Sequence, residues 1–172
     1  MAGDPTYGGR LTRVDNKWQL EVLVEFDQTA MTGYSGKLDA IKYRIYEAPA
    51  HSEREFASPD GLMIFASTVN TFSEDTYVVI VQGYHGWKNA STVPTQYFIQ
   101  AGLKTTQQTA DALGEFSLRF SGGPSVPLDA TTLRLHHRKG TEPDLVRPVV
   151  AVSGENTVEV NGLQAMGYYV LI

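Results

Sequence analysis

The chain contains no cysteine among its 172 residues. That excludes a disulfide framework, thiolate metal sites and cysteine catalysis, while leaving the compartment open. Positive charge is also short. Fourteen Lys and Arg against 19 Asp and Glu leave a formal charge of −5 and a sequence pI of about 5.3. Proteins that neutralise nucleic-acid phosphates carry a basic excess, so no nucleic-acid partner is expected. Apolar runs such as Tyr77 to Val81 and Tyr168 to Ile172 reach about five residues, against about 20 for a spanning helix, so no membrane insertion is expected. Residues Met1 to Arg10 carry neither the basic nor the apolar stretch of a secretory signal. The chain is therefore expected either to avoid classical export or to be a mature or excised domain. Repeats and low-complexity segments are missing as well.

What is present is period two. Hydrophobic residues make up 42% and charged residues 19%, an ordinary globular balance. Trp18, Leu20, Val22, Val24 and Phe26 alternate with mostly polar neighbours, as do Ile41, Tyr43 and Ile45. Phe116, Leu118 and Phe120 repeat the pattern, and so do Leu133, Leu135 and His137. Such alternation predicts half-buried strands. Leu62 to Val69 and Thr76 to Gln82 are more continuously apolar, which predicts central strands covered on both faces. With Thr95–Ala101, Val146–Val152, Thr157–Val160 and Gly167–Ile172 the total is about ten short strands.

Turn chemistry separates these runs. Ser58-Pro59-Asp60-Gly61 is a strong turn, Ser153-Gly154-Glu155-Asn156 a tight hairpin connection and Asn161-Gly162 a second hairpin-type signal. Ser121-Gly122-Gly123-Pro124 breaks the chain before the last four strands, and Arg138 to Asp144 is a polar, solvated loop. Helical signals are few. Ser52 with Glu55 has capping-box spacing, and Thr105–Leu113 ahead of Gly114 suits a second short helix. Neither provides crossovers for a parallel sheet. The expected fold is therefore all-β: an antiparallel β-sandwich or jelly roll, Ig-like among its variants, with one or two short helices in the connections. Residues 1–172 read as a single domain with 1–9 as an extended N-terminal lead, since the stretch after Gly123 is too short to bury much alone.

The segments Leu133 to Gly140, Asn156 to Leu163 and Tyr168 to Ile172 share a strand rhythm. In this last quarter the chain resembles the closing strands of β-sandwich modules from bacterial surface proteins and phage structural proteins. It departs from them in the long, Pro-containing connection between Gly140 and Pro148. The resemblance implies a sandwich fold and a virion or extracellular setting, and no chemistry.

Catalytic motifs are absent: no nucleophile elbow, no P-loop and no dinucleotide fingerprint. Gly33-Tyr34-Ser35-Gly36 reads as a loop. His136 and His137 are adjacent on one strand and point to opposite faces, so one ion is not gripped by both. His137 shares its face with Leu133 and Leu135 and reads as a satisfied, half-buried residue; His136 joins Arg134 and Arg138 on a basic, solvated face. His51 and His85 come from separate loops. No calcium loop appears, and no carboxylate pair has useful spacing. The reading is not an enzyme, with no metal and no cofactor.

One concentrated feature remains. Tyr84-His85-Gly86-Trp87-Lys88-Asn89 reads as an aromatic loop after the strand Thr76–Gln82, with Gln96, Tyr97 and Phe98 close behind. The plainest reading has Trp87 capping the end of the sandwich. A protein-binding hot spot is the next, because Trp and Tyr concentrate there. A sugar-stacking platform is the third, with His85, Asn89 and Gln96 as hydroxyl partners. Candidate partner-binding residues are thus Tyr84, His85, Trp87, Asn89, Gln96 and Tyr97. The expected function is a non-enzymatic structural or assembly module, such as a virion decoration or surface-layer protein, with protein partners or self-association. The alternative is a carbohydrate-binding module of a secreted multidomain protein, taking a glycan on Trp87.

Overall fold

The computed structural model describes residues 10–14, 17–21, 34–87, 95–106, 108–123, 126–138 and 145–171. Their regular elements are all strands, and no helix occurs among them. In chain order the strands are β1 (Arg10–Val14), β2 (Lys17–Glu21), β3 (Tyr34–Ala48), β4 (Glu55–Ala57), β5 (Met63–Ser67), β6 (Thr76–Trp87) and β7 (Thr95–Leu103). There follow β8 (Thr109–Ala110), β9 (Ala112–Ser121), β10 (Arg134–Arg138), β11 (Leu145–Pro148), β12 (Val150–Ala151), β13 (Thr157–Ala165) and β14 (Gly167–Leu171).

Two antiparallel sheets carry the core. The larger runs β11-β10-β14-β7-β6-β3, with β8 also paired to β7; the smaller runs β12-β13-β9-β5-β4. β1 and β2 pair only with each other, and β1 touches β7. Between the sheets one apolar cluster gathers Val78, Ile80, Ile99, Leu135, Tyr169 and Leu171 from the larger with Phe56, Met63, Phe65, Leu118, Val158 and Leu163 from the smaller. Phe65 stacks on Phe116 at 4.5 Å between ring centroids and lies 6.1 Å from Phe56 and from Phe72. Two sheets pressed face to face around interdigitated side chains make a β-sandwich, the architecture that the alternating pattern predicts.

The alternation is visible residue by residue. Phe116, Leu118 and Phe120 of β9 are buried, while Glu115, Ser117 and Arg119 face outward. In β6, Val78 to Val81 are all buried, because Ile45, Tyr77 and Phe98 pack on Val79 and Val81 across the outer face. This is the doubly covered central strand expected there. β5 differs from expectation: Met63 and Phe65 are buried, but Leu62 and Val69 are exposed, so only one face of this segment lies in the core.

Neither expected helix forms. Around Ser52 the backbone groups that a helix would use are bonded to β5 and its flank. His51 N–H donates to Phe72 O (2.7 Å), Ser67 N–H donates to Arg54 O (2.9 Å), and Arg54 N–H donates to Ser67 Oγ (2.8 Å). Glu55 then opens β4 opposite Ala66. Between Thr105 and Leu113, Leu103 N–H donates to Gln108 O (2.8 Å) and Thr109–Ala110 pair with Ala101–Gly102, so the segment is a strand return. Gly114 is no helix stop. It lies inside β9, where an added Cβ would come within 1.9 Å of Asn70 O.

Two turn readings change for the same reason. Asn161-Gly162 does not reverse the chain: β13 runs through it, with Gly162 at φ 73° and a register shift between Val160 and Leu163. It is a bulge, the other use of a positive-φ glycine in a strand. Tyr34, Ser35 and Gly36, expected in a loop, open β3. The Ser153–Asn156 hairpin forms as expected, with Gly154 at φ 78° and Val152 N–H donating to Thr157 O (2.9 Å).

The sheet-to-sheet connection after β9 is held by Asn156. Its Nδ2 donates to Val126 O (2.6 Å) and Gly123 O (3.1 Å), and its Oδ1 accepts from Leu128 N–H (2.8 Å). Gly122 must be glycine here, since a Cβ would lie 1.8 Å from Val126 O. Further on, Thr131 donates its hydroxyl (2.6 Å) and its N–H (2.9 Å) to Asp129 Oδ1, and these bonds hold the Asp129 carboxyl below its ordinary pKa.

Candidate functional site

The expected site residues separate. Asn89 lies outside the described residues. Tyr84, His85 and Trp87 sit in β6, which extends five residues past Gln82, so the expected loop is strand at least to Trp87. In the ladder His85 lies opposite Leu38, Tyr84 opposite Ala40 and Thr95, and Trp87 opposite Tyr34. Gln96 of β7 pairs with Gly83. The topology thus gathers Tyr34, Tyr84, His85, Trp87 and Gln96 at one end of the larger sheet. Tyr34 is the member that the sequence reading missed, because only β3–β6 pairing places it beside Trp87.

Tyr97 leaves this group. It is 2% exposed, its ring lies 5.9 Å from that of Phe120, and its hydroxyl donates to Asp60 Oδ2 (2.9 Å). A residue with its ring in the core and its hydroxyl bonded inside the fold offers no surface to a partner. Its strand parity explains this: Tyr97, Ile99 and Ala101 share the buried face of β7.

The histidines do not converge. His137 is buried, its Nε2 lies 3.0 Å from Met166 O and its ring 4.6 Å from that of Tyr169, so it faces the core side as expected but is more deeply buried than the half-buried reading. His51 Nδ1 lies 3.2 Å from Val69 O, in a turn where His51 itself has φ 57°. Among the described residues no group of three or more His, Asp or Glu comes together as a metal site. On the outer face of the smaller sheet Arg119 pairs with Glu55 through Nη2 and with Glu159 through Nε (3.6 Å). Ser117 Oγ donates to Asn161 Oδ1 (2.6 Å) beside them.

A second surface was not anticipated. The sequence reads Val146–Val152 as one strand, but the structure divides the run between both sheets. β11 is the outermost strand of the larger sheet and β12 the outermost strand of the smaller. Val149 between them is buried and anchors the crossing. Leu145, Val146 and Val150 are 58%, 53% and 65% exposed. One short segment therefore forms the edge of both layers and shows apolar side chains to solvent. The available signal was Pro148, since proline in a strand-like run marks an edge. Edge strands present unpaired backbone N–H and C=O groups, which are ready-made positions for another strand.

Among the described residues no helix is long and apolar enough to cross a membrane. No protein-family model matches the chain, and neither a curated protein nor a solved structure matches it.

Proposed function

We propose that this protein is a non-enzymatic assembly module of the virion-decoration or surface-layer kind, which holds neighbouring subunits through preformed surface. One observation carries the reading: the edge Leu145–Ala151, shared by both sheets, leaves three large apolar side chains exposed. Natural sandwiches usually cover, charge or shorten such edges. Here Arg147 and Pro148 blunt the strand only in part, which suits a surface that is covered after assembly. Recognition of this kind uses backbone pairing and shape, with no bond made or broken.

The test is co-sedimentation with particles or cell envelopes from the source of the gene. The wild-type chain is expected to pellet with them, and Val146→Lys with Val150→Lys to remain in the supernatant. Equal pelleting of both forms removes the edge from the account.

The second reading, carbohydrate binding in a secreted multidomain protein, is favoured by the register of Trp87 opposite Tyr34 with Tyr84 on the same ribbon. Aromatic residues placed on neighbouring strands at one end of a sheet suit stacking on sugar faces. Retention on insoluble polysaccharide that is lost in Trp87→Ala and kept in the edge variant would establish it instead.

A further inference from the structure

We infer that the β1–β2 ribbon is a strap laid across the outer face of the larger sheet, able to lift while the sandwich stays folded. The face it applies is the one that carries Leu11, Trp18 and Leu20, and the surface it covers runs across β14, β7 and β6.

The outer face of the larger sheet is dry. Val79, Val81 and Val170 belong to it and are 0%, 1% and 0% exposed. Oε1 of Gln100, opposite Val79, and Nδ1 of His136, opposite Val170, are out of solvent on the same side. Neighbours within the sheet do not account for this. Ile45, Tyr77 and Phe98 flank Val79 and Val81, but side chains of one sheet stand roughly parallel and leave one another's tips open. β9 supplies the comparison. It too is paired on both sides, by β13 and β5, and its outward Ser117 and Arg119 stay partly exposed. A further layer therefore lies over β14, β7 and β6 that β9 lacks.

The ribbon fits that layer. β1 touches β7. β7 is bordered by β6 on one side and by β14 and β8 on the other, and Tyr97, Ile99 and Ala101 fill its inner face. The outer side is what is left for β1. In the sheet, β7 lies between Val170 of β14 and Val79 and Val81 of β6, so a ribbon placed over it reaches all three. Register gives the ribbon two unlike faces. Leu11 is opposite Leu20 and Arg13 opposite Trp18, while Arg10, Thr12 and Val14 oppose Glu21, Gln19 and Lys17. The first set is mainly apolar and the second mainly polar, and the two alternate along each strand. Five residues of strand span about 17 Å, and β14 to β6 is about 10 Å across, so the areas match. A two-stranded ribbon is marginal alone in water and requires a surface to lie on. Among the described residues β1 and β2 pair only with each other, so no ladder ties the strap to either sheet. Side-chain packing alone holds it, which makes it the first piece to open.

The absence of cysteine supplies the test. Val79→Cys places a thiol on the covered face, and Val78→Cys places one in the core a single residue away. Each is made in the full chain, with and without Leu20→Lys, and its reaction with iodoacetamide is timed under native conditions. Both thiols are expected to react far more slowly than in the urea-unfolded chain. Val79→Cys is expected to be roughly tenfold faster than Val78→Cys, because the strap opens before the core. Leu20→Lys is expected to speed Val79→Cys by a further factor of about ten and to leave Val78→Cys unchanged. A Val79→Cys thiol that reacts as in the unfolded chain, or one that Leu20→Lys does not speed, overturns the inference. Equal acceleration of both thiols overturns it too, since the ribbon is then part of one cooperative core. Native-state hydrogen exchange of the unsubstituted chain reads the same opening without a variant. Amides of β1 and β2 are expected to exchange through a smaller opening than those of β6 and β7, and one common opening for all four strands rules the strap out.

Discussion

The hydroxyl of Tyr97 donates to Asp60 Oδ2 at 2.9 Å, and this bond ties the middle of the larger sheet to the β4–β5 turn of the smaller. Asp60 Oδ1 also accepts from Ser58 Oγ (2.5 Å) and Leu62 N–H (3.0 Å), while Ser58 is fully buried. The turn residues that the sequence marks as a chain reversal are thus a bridge between layers.

Removing that bridge should be costly on both sides. Tyr97→Phe is expected to lower stability by about 1–2 kcal/mol, and Asp60→Ala by about 2–3 kcal/mol because it strips several donors at once. Urea unfolding midpoints measure both. A neutral Tyr97→Phe would mean that the bond adds nothing beyond ring packing.

The glycines of the turns should differ sharply. Gly122→Ala forces a Cβ onto the carbonyl of Val126 and is expected to destabilise by about 3 kcal/mol, the upper range for overpacking. Gly154→Ala meets open space and has only its φ of 78° to oppose it, so about 1 kcal/mol is expected. Thermal or urea unfolding of the pair checks the contrast, and equal losses would contradict it.

Asn156→Ala removes three hydrogen bonds to the connection 122–128. A loss of about 2–3 kcal/mol is expected from unfolding, with faster amide exchange at Leu128 as the local signature.

Tyr169 should weaken the fold at alkaline pH. Burial pushes its phenol well above the ordinary value of 10.0, partly offset by the positive charge of Arg147, and its hydroxyl donates to Ala165 O (2.6 Å). A pKa raised in the folded state gives stability that is complete below the unfolded value and falls as pH rises beyond it, because only the unfolded chain then loses the proton. Stability should therefore decline above about pH 10, by up to roughly 1.4 kcal/mol per pH unit from this group. Tyr169→Phe should be less stable at pH 7, having lost a hydrogen bond, and lose less between pH 10 and 12. Parallel pH curves for the two proteins would refute the assignment.

Strand positions were largely legible beforehand because alternation is local. Phe116-Ser117-Leu118-Arg119-Phe120 declares its own two faces, and its burial follows them. Ser52–Glu55 misled because a capping box is a preference of an isolated segment. Here the backbone groups of 51–54 are claimed by Phe72 and Ser67. Asn161-Gly162 misled because positive φ serves a bulge as well as a turn, and the pairing of β13 with β9 decides which. Of the candidate site, the weight of aromatics near Trp87 was visible. The opposition of Trp87 to Tyr34, distant in sequence, was not.

Amino-acid order alone determined that this chain would form many short strands, with which residues inward, and that thiol chemistry had no place in it. Both follow from side-chain identity and a two-residue repeat, and neither needs knowledge of neighbours. Tertiary structure decided that Tyr97 is a core strut, that Val146 and Val150 belong to different sheets and that, among the described residues, both stand in outermost strands. Those facts depend on which strand lies next to which, and ladder partners are chosen by the packing of the whole core rather than by any one segment.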